Sequence, residues 1–490
     1  MSRARARRAR GLRLVVWPVL VATILALVAG LAPASAGTVL AAAEDLSITT
    51  ATTYTLVPAR DVVRVVVDVT ARNQKPNLVS GGVVTKYFYD TFRLGIQPEA
   101  AAIKATSGGS SLPTTKRPRD GFNELEIRFR DSLFYNQAAK IHVTFDLPGG
   151  APRSESEVRV GPAFATFTAW AFGDTGSVRI VVPAGFETET TGSDVTRSTA
   201  GSSTVFSATG IQDVPTWYAT VNADRASALT NARIDLDGGE HLVVHAWPDD
   251  PTWKRQVTEL LTKGLPELVD EIGLAWPVSG DLDVFEVHTP LLEGYAGIFF
   301  EGENRIEISE DLDDLTTLHE SSHAWFNGDL FDGRWINEGF ADTFASRTLS
   351  TLALGDWSPG DVSPTDRAAV PLNDWEFPGR IADDETDARE QYGYDAAWTV
   401  VRSITAEVGP DGMRDVLRAA QDHQIAYVGA GAPEPVSGPA DWRRLLDLLD
   451  ERGHSRTADE VFRRWVVSPD EAKQLDDRDT AREAYAGLVE

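Results

Sequence analysis

The chain has 490 residues, a formal net charge of −27 and no cysteine. Its length allows two to four domains with sizeable cores, and the lack of cysteine excludes disulfides, thiolate metal sites and a cysteine nucleophile. A charge this negative excludes binding to nucleic acid, or to an anionic membrane surface, through the general field of the protein.

The first 36 residues have the pattern of an export signal. Arginines and no acidic residue come before an apolar run over 14–31, and Ala34-Ser35-Ala36 fits a cleavage site. We therefore expect a signal peptide over 1–36 and a secreted or cell-envelope protein outside the cytoplasm. The apolar run is also long enough to span a bilayer. The alternative is an uncleaved anchor, which is the single membrane contact that the sequence predicts.

Residues 37–237 contain many short runs that are typical of strands. Such β-branched or alternating runs lie at 62–69, 125–129, 140–145 and 178–182, and turns rich in Gly, Pro and Ser separate them. Short strands with turn signals between them are typical of a sandwich. We predict an N-terminal antiparallel β-sandwich domain over residues 37–237.

The pattern changes near residue 240. Apolar residues recur with a helical period over 252–272, and an α/β domain is predicted over 238–365. Strands of this domain are predicted at 241–245, 283–287, 297–300 and 305–308. Helical segments follow a linker rich in Pro, Asp and Gly, and they predict a helical domain over 366–490. They continue to the last residue, which leaves open whether the natural product is longer. The predicted fold class is α+β multidomain.

One segment of the α/β domain carries a metal-binding pattern. Residues 319–323 read H-E-S-S-H, which places His319 and His323 one helical turn apart and able to reach one metal ion. Glu338, on a second helix, is the natural third ligand. Two imidazoles and a carboxylate suit Zn²⁺ and leave a fourth position for water. Glu320 is placed to act as general base on that zinc-bound water, which predicts a zinc hydrolase.

A further acid follows the third ligand. Asp342 lies one turn beyond Glu338 on the same helix face. A histidine that binds a metal needs its other ring nitrogen held, usually by a carboxylate. We expect Asp342 to hold His319 in this way, and the alternative is an ordinary solvated acid.

The two segments around these ligands resemble a known family. The sequence H-E-S-S-H-A-W-F at 319–326, followed by W-I-N-E-G-F-A at 335–341, is similar to the gluzincin metallopeptidases of the aminopeptidase N family. The resemblance implies a thermolysin-like catalytic domain behind an N-terminal β-domain, and hydrolysis of peptide bonds in a peptide or protein substrate. It also implies that Glu320 is the general base and that the zinc ligands are His319, His323 and Glu338.

The same resemblance implies a catalytic tyrosine further along the chain. Members of the family stabilise the oxyanion with a tyrosine in a Tyr-Glu-x-Gly-like segment, and Tyr394-Asp395-Ala396-Ala397 is similar to that segment. Tyr394 is therefore the expected oxyanion donor. Two alternatives remain: Tyr394 could be a core aromatic, and Tyr392 is a nearby competitor.

The sequence departs from the family in two places. Fourteen residues separate His323 from Glu338, fewer than is usual, so the turn between the two helices is shorter. The Gly-Ala-Met-Glu-Asn strand, whose Glu holds the substrate's free amino group, is missing, and residues 291–299 stand in its place. Glu293 either replaces that anchor or is a solvated loop residue. We expect an aminopeptidase. The alternatives are an endopeptidase of the same fold and a non-catalytic cell-envelope binding protein with a structural zinc.

Overall fold

The computed structural model describes residues 45–236, 239–427 and 434–489. The predicted signal peptide lies outside these residues. The described chain forms two compact units. The β unit comprises residues up to 230 together with 247–250, and the α/β unit comprises the rest. Residues on both sides of the predicted boundary at 365 belong to the α/β unit.

The β unit is built from strands whose side chains alternate between its core and its surface. These strands are β1 (Leu46–Val57), β2 (Val62–Asn73), β3 (Leu78–Ser80), β4 (Val83–Thr85), β5 (Phe88–Ile96), β6 (Ala101–Ser107), β7 (Ser110–Ser111), β8 (Thr114–Arg119), β9 (Phe122–Phe134), β10 (Ala138–Pro148), β11 (Arg159–Val160), β12 (Phe164–Trp170), β13 (Thr175–Val182), β14 (Glu187–Gly192), β15 (Thr196–Ala200), β16 (Ser203–Ile211) and β17 (Tyr218–Asp224). In β2, Val63, Val65, Val67 and Val69 are buried, because successive side chains of a strand point to opposite faces.

Three sheets of the β unit share one apolar core. The largest has the strand order β15-β16-β13-β1-β2-β10-β6-β7, and sheets β11-β12-β17-β14 and β5-β9-β8 contribute side chains to the same core. Strand β1 pairs with β2 in antiparallel fashion but with β13 in parallel. The prediction of a wholly antiparallel sandwich is therefore wrong at this pair. The long stretch of chain between β1 and β13 provides the crossover that a parallel pair requires.

The α/β unit continues the chain with strands and helices. Its strands are β18 (Thr230–Asp235), β19 (His241–Ala246), β20 (Asp281–Val287), β21 (Gly297–Phe300), β22 (Arg305–Ser309), β23 (Phe331–Asp332) and β24 (Ala440–Asp441). Its helices are α1 (Pro251–Ile272), α2 (Asp314–Ser322), α3 (Arg334–Thr351), α4 (Asp384–Gln421), α5 (Trp442–Glu451), α6 (Ala458–Val461) and α7 (Ala472–Val489). Among the described residues, no helix is long and apolar enough to cross a membrane.

A sheet with the strand order β18-β19-β20-β22-β21 forms the base of the α/β unit. Strands β19, β20 and β22 run parallel, whereas β21 is antiparallel to β22 and lies at the edge. Helices α1 to α4 and the sheet share an apolar core. Helix α4 is interrupted at Gly409, whose φ of 77° is non-helical. Helix α2 leaves the sheet after β22 and carries the metal-binding pattern.

Candidate metal centre and active site

Helices α2 and α3 position the predicted ligands. The carboxylate of Asp313 caps α2 by accepting hydrogen bonds from the backbone N–H groups of Leu315 and Thr316, at 3.0 and 3.4 Å. His319 lies in the last turn of α2 and His323 is its C-cap residue. Between them, the buried hydroxyls of Ser321 and Ser322 donate to carbonyl oxygens one turn back, at 2.8 and 2.7 Å. The serines are thus satisfied within the helix and leave the histidines to face α3.

The shortened turn between α2 and α3 is closed by asparagines. Asn327 Nδ2 donates to the carbonyl oxygens of His323 and Ala324, at 2.9 and 3.0 Å. Asn337 Nδ2 donates to the carbonyl oxygen of Phe331 at 3.0 Å, which ties the start of α3 to the same turn. Glu338 and Asp342 then follow on α3, one turn apart, and both are buried.

The structure brings the three predicted ligands together. The Nε2 atoms of His319 and His323 are 3.0 Å apart, and Glu338 Oε2 lies 3.1 Å from the first and 3.6 Å from the second. Zinc holds such atoms at about 2.0–2.2 Å in a tetrahedral site, which places them about 3.3 Å from one another. The spacing therefore fits zinc without rearrangement.

The second ring nitrogen of each histidine also has an acceptor. His319 Nδ1 lies 3.0 Å from Asp342 Oδ1, and His323 Nδ1 lies 2.7 Å from the carbonyl oxygen of Phe326. An acceptor at Nδ1 keeps the proton there, so each neutral ring presents a lone pair at Nε2. Two such nitrogens and a carboxylate meet in a buried space, where their lone pairs require a cation.

The pKa values of His319 and Glu338 also reflect the need for a positive charge in this buried space. Burial by itself lowers the pKa of His319, but the charge and hydrogen bond of Asp342, with those of Glu338, outweigh it and raise the pKa from 6.5 to about 10. Burial raises the pKa of Glu338, but hydrogen bonds and charges from His319 and His323 hold it well below its ordinary value. Without a metal, a proton on His319 supplies the positive charge, and zinc must displace that proton.

Glu320 lies next to the ligands and against the edge strand of the sheet. Its side chain is fully buried. A Cβ atom built at Gly297, the first residue of β21, would lie 2.5 Å from Glu320 Cγ and 2.8 Å from Oε1. Glycine at residue 297 therefore allows the strand backbone to pass directly beside the predicted general base.

Tyr394 reaches the centre from α4. A Cβ atom at Gly339 of α3 would lie 2.6 Å from the carbonyl oxygen of Ala397, so the lack of a side chain lets the two helices approach closely. The Tyr394 ring lies 6.4 Å from the His319 ring, between centroids. Burial and the charge of Glu338 raise the pKa of Tyr394 well above 10, although Arg334 opposes this. The phenol therefore keeps its proton near neutral pH and is able to donate it in a hydrogen bond.

Tyr392, the competitor, occupies a different position. It lies two residues before Tyr394 on α4 and so projects from another face of the helix. Burial, with the charge of Asp366, raises its pKa to about 12. The geometry therefore favours Tyr394 as the tyrosine that faces the ligands.

The structure adds a buried ion pair that was not predicted from the sequence. Arg334 donates from Nη1 and Nη2 to the two carboxylate oxygens of Glu390, at 2.9 and 2.6 Å, and from Nη2 to the Tyr394 hydroxyl at 3.3 Å. Its guanidinium lies 3.8 Å above the Trp375 ring. Trp375 Nε1 and the Tyr295 hydroxyl also donate to Glu390, at 2.8 and 2.9 Å.

A signal for this pair does exist in the sequence. Arg334 comes four residues before Glu338 on α3, and Glu390 comes four residues before Tyr394 on α4. Each member of the pair therefore shares a helix face with a predicted site residue. Helix spacing could have indicated both residues, but their contact across two helices could not be read from it.

Glu293 lies on the surface. It follows the short 3₁₀ turn Thr289–Leu292, has a φ of 55° and is exposed. Its carbonyl oxygen accepts a hydrogen bond from the backbone N–H of Ile381 at 3.1 Å. Its role as an anchor for the substrate's amino group stays a prediction.

Comparisons with known proteins give a structural likeness only. No family model matches the sequence, and no curated protein matches it either. Among solved structures, an M1 zinc metallopeptidase from Deinococcus radiodurans matches 87% of this chain and 96% of its own, with 13% identity and a TM-score of 0.31. A mutant of that enzyme bound to a Tyr-Ser-Ala substrate matches with the same figures. A further structure of the mutant covers 95% of its own chain with a TM-score of 0.32. At this level of likeness, the function of the chain has to be inferred from the geometry of its own site.

Proposed function

We propose that this chain is a zinc-dependent metallopeptidase that hydrolyses peptide bonds, and that its main activity is that of an aminopeptidase. The observation that carries the proposal is the convergence of His319, His323 and Glu338 at the spacing of a zinc site, with a further buried carboxylate, Glu320, beside them. A purely structural zinc site has no use for that fourth group. The export pattern at the N-terminus supports activity outside the cytoplasm.

A zinc ion held by these three residues supplies Lewis acidity and lowers the pKa of a water molecule to about 7. Glu320 accepts the proton of the attacking water and passes it to the leaving amine. Asp342 and the Phe326 carbonyl hold the two imidazoles in the orientation that the ligand set requires. Each of these roles belongs to a buried side chain or backbone group, so water competes little with them.

Tyr394 stabilises the charge that develops on the substrate's carbonyl oxygen. Its phenol donates a hydrogen bond to that oxygen, as a preorganised donor in a buried site. Arg334 donates a hydrogen bond to the phenolic oxygen. The hydroxyl hydrogen of Tyr394 therefore remains available for the substrate's carbonyl oxygen. Glu390 fixes the guanidinium through two hydrogen bonds, so the donor is oriented before the substrate arrives.

The test is the Glu320→Gln variant, assayed on a diverse peptide library with and without a chelator. The variant should bind zinc as the unaltered protein does and lose about 10²–10⁴-fold in rate. Glu303→Gln serves as the control, because Glu303 is an exposed acid in the turn between β21 and β22. Full activity of Glu320→Gln would contradict the proposed mechanism. A zinc-loaded protein that cleaves no peptide in the library would favour the binding-protein alternative.

Endopeptidase action is the second candidate. The edge strand β21 consists of one glycine and three apolar residues, so it contains no acid that could hold a substrate's free amino group. Glu293 lies on an exposed turn before this strand. Digestion of one peptide with a free and with an acetylated amino end separates the two modes. Acetylation should abolish cleavage by an aminopeptidase and leave cleavage by an endopeptidase intact. If acetylation does abolish cleavage, Glu293→Gln should raise KM for the peptide with the free amino end, provided that Glu293 is the anchor.

A further inference from the structure

The β unit carries an exposed apolar hairpin. Strands β3 and β4 are joined by Gly81 and Gly82, which both have positive φ, as a tight turn requires. The hairpin's four large apolar side chains are between 53% and 68% exposed; they are Leu78, Val79, Val83 and Val84. Apolar side chains that cluster on a surface in this way mark an interaction site more often than isolated ones do.

Both faces of this hairpin carry large apolar side chains. Val79 and Val84 are directly paired and therefore share one face. Ser80 pairs with Val83, so Val83 and Leu78 lie on the opposite face, where two hydroxyl side chains accompany them. A flat protein surface can cover one face of a two-stranded ribbon and leaves the other in water. A fluid apolar medium surrounds both faces at once.

The hairpin is also too short to be held by its own backbone. Each strand has three residues, and within the described part of the chain the two pair only with each other. A hairpin of this size is marginally stable in water. Its strands reach about 10 Å, which matches the depth of about 5–10 Å to which apolar segments enter the boundary between lipid head groups and acyl chains.

Basic and aromatic residues flank the hairpin. Residues 71–89 contain no acid, although the chain has a net charge of −27, and they contain Arg72, Lys75 and Lys86. Lys75 pairs with Asp45 at 3.1 Å and lies 5.0 Å from the Tyr87 ring, and Phe88 packs on another aromatic ring at 5.5 Å between centroids. Aromatic rings and lysines around an apolar tip are typical of segments at a membrane–water interface.

We propose that the hairpin formed by residues 78–85 enters the interfacial layer of a lipid bilayer, with Lys86 and the neighbouring aromatic rings at the level of the head groups. This membrane contact differs from the N-terminal anchor that the sequence predicts, and it does not depend on the proposed peptidase activity. It would keep the β unit at a membrane surface even after cleavage of a signal peptide.

The lack of cysteine makes a direct test simple. Val83→Cys and, as control, Ser110→Cys each provide one thiol for an environment-sensitive fluorophore. Ser110 follows Gly108 and Gly109 in a comparable glycine turn of the same unit, but its surroundings are polar. With vesicles of phosphatidylcholine, which carry no net charge, the probe at 83 should shift to the blue and be quenched by lipid-borne quenchers, and the probe at 110 should not.

Two results of this test would overturn the proposal. Vesicle binding without a change at residue 83 would assign the membrane contact to another segment. A blue shift that needs no vesicles and grows with protein concentration would assign the hairpin to a second copy of the chain. In support, V79D/V84D should weaken vesicle partition about tenfold or more, whereas S110D/S111D should not. Both double variants should retain the cleavage rate on a soluble peptide.

Discussion

Gly297 of β21 lies against the Glu320 side chain, so closely that a Cβ atom at residue 297 would stand 2.5 Å from Glu320 Cγ. The backbone of the edge strand therefore fixes the position of the predicted general base. Any side chain at residue 297 has to push the carboxylate away from its position beside the ligands.

The first prediction follows from this contact. Gly297→Ala should displace the Glu320 carboxylate and reduce kcat on a peptide by about 10²-fold, since a displacement near 1 Å has effects of this size. Zinc content and thermal stability should change little by comparison. The control is Gly487→Ala, where an added Cβ meets no atom within 4 Å. Unchanged kcat in Gly297→Ala would show that Glu320 does not need its present position.

The second prediction concerns the oxyanion donor. Tyr394→Phe removes a buried phenol without removing the ring, and it should reduce kcat about 10²–10³-fold, as loss of one oxyanion donor does. KM should change much less, because the hydrogen bond forms in the transition state. Tyr392→Phe is the matched control on the same helix and should retain activity. If the Tyr392 variant lost activity instead, the assignment of the tyrosine would be reversed.

The third prediction concerns Arg334. If Arg334 acts through Tyr394, then Arg334→Gln should lower kcat in the unaltered background, and the same change should have little further effect in the Tyr394→Phe background. A purely structural role would lower stability and activity equally in both backgrounds. Arg347→Gln is the control, because Arg347 is on the same helix and pairs with Glu271 at 2.6 Å, away from the ligands. A melting curve for each variant separates loss of folding from loss of rate.

The fourth prediction concerns the proton that zinc displaces. The pKa of His319 is raised to about 10 in the metal-free site, so the ring carries an additional proton at neutral pH. That proton competes with zinc for the ring nitrogen. Zinc affinity should therefore rise with pH, by about tenfold per unit below that pKa. Calorimetry in two buffers of different ionisation enthalpy should report about one proton released at pH 7. Release of none would contradict the protonated state of His319.

Asp342→Asn tests the origin of that proton. Because the charge of Asp342 raises the pKa of His319, its loss should lower the pKa and reduce proton release at pH 7. Zinc affinity should nevertheless fall by about 10–100-fold, because the imidazole loses the carboxylate that orients it. An unchanged proton count and affinity would make Asp342 an ordinary buried acid.

Much of the candidate site follows from spacing within single helices. The four-residue interval between His319 and His323 and that between Glu338 and Asp342 place each pair on one helix face. The run at 62–69 likewise predicts a strand, and β2 contains it. Such relations are local, because the geometry of one helix or strand decides which side chains share a face.

The remaining relations were decided by tertiary structure. The parallel pairing of β1 with β13, the contact of Gly297 with Glu320 and the hydrogen bonds that join Arg334 to Glu390 and Tyr394 link residues far apart in the chain. No periodicity encodes which strand lies at a sheet edge or which helices pack together. Burial of a shared core selects these neighbours. By itself the sequence determined which side chains could form a zinc site, and packing determined which groups surround it.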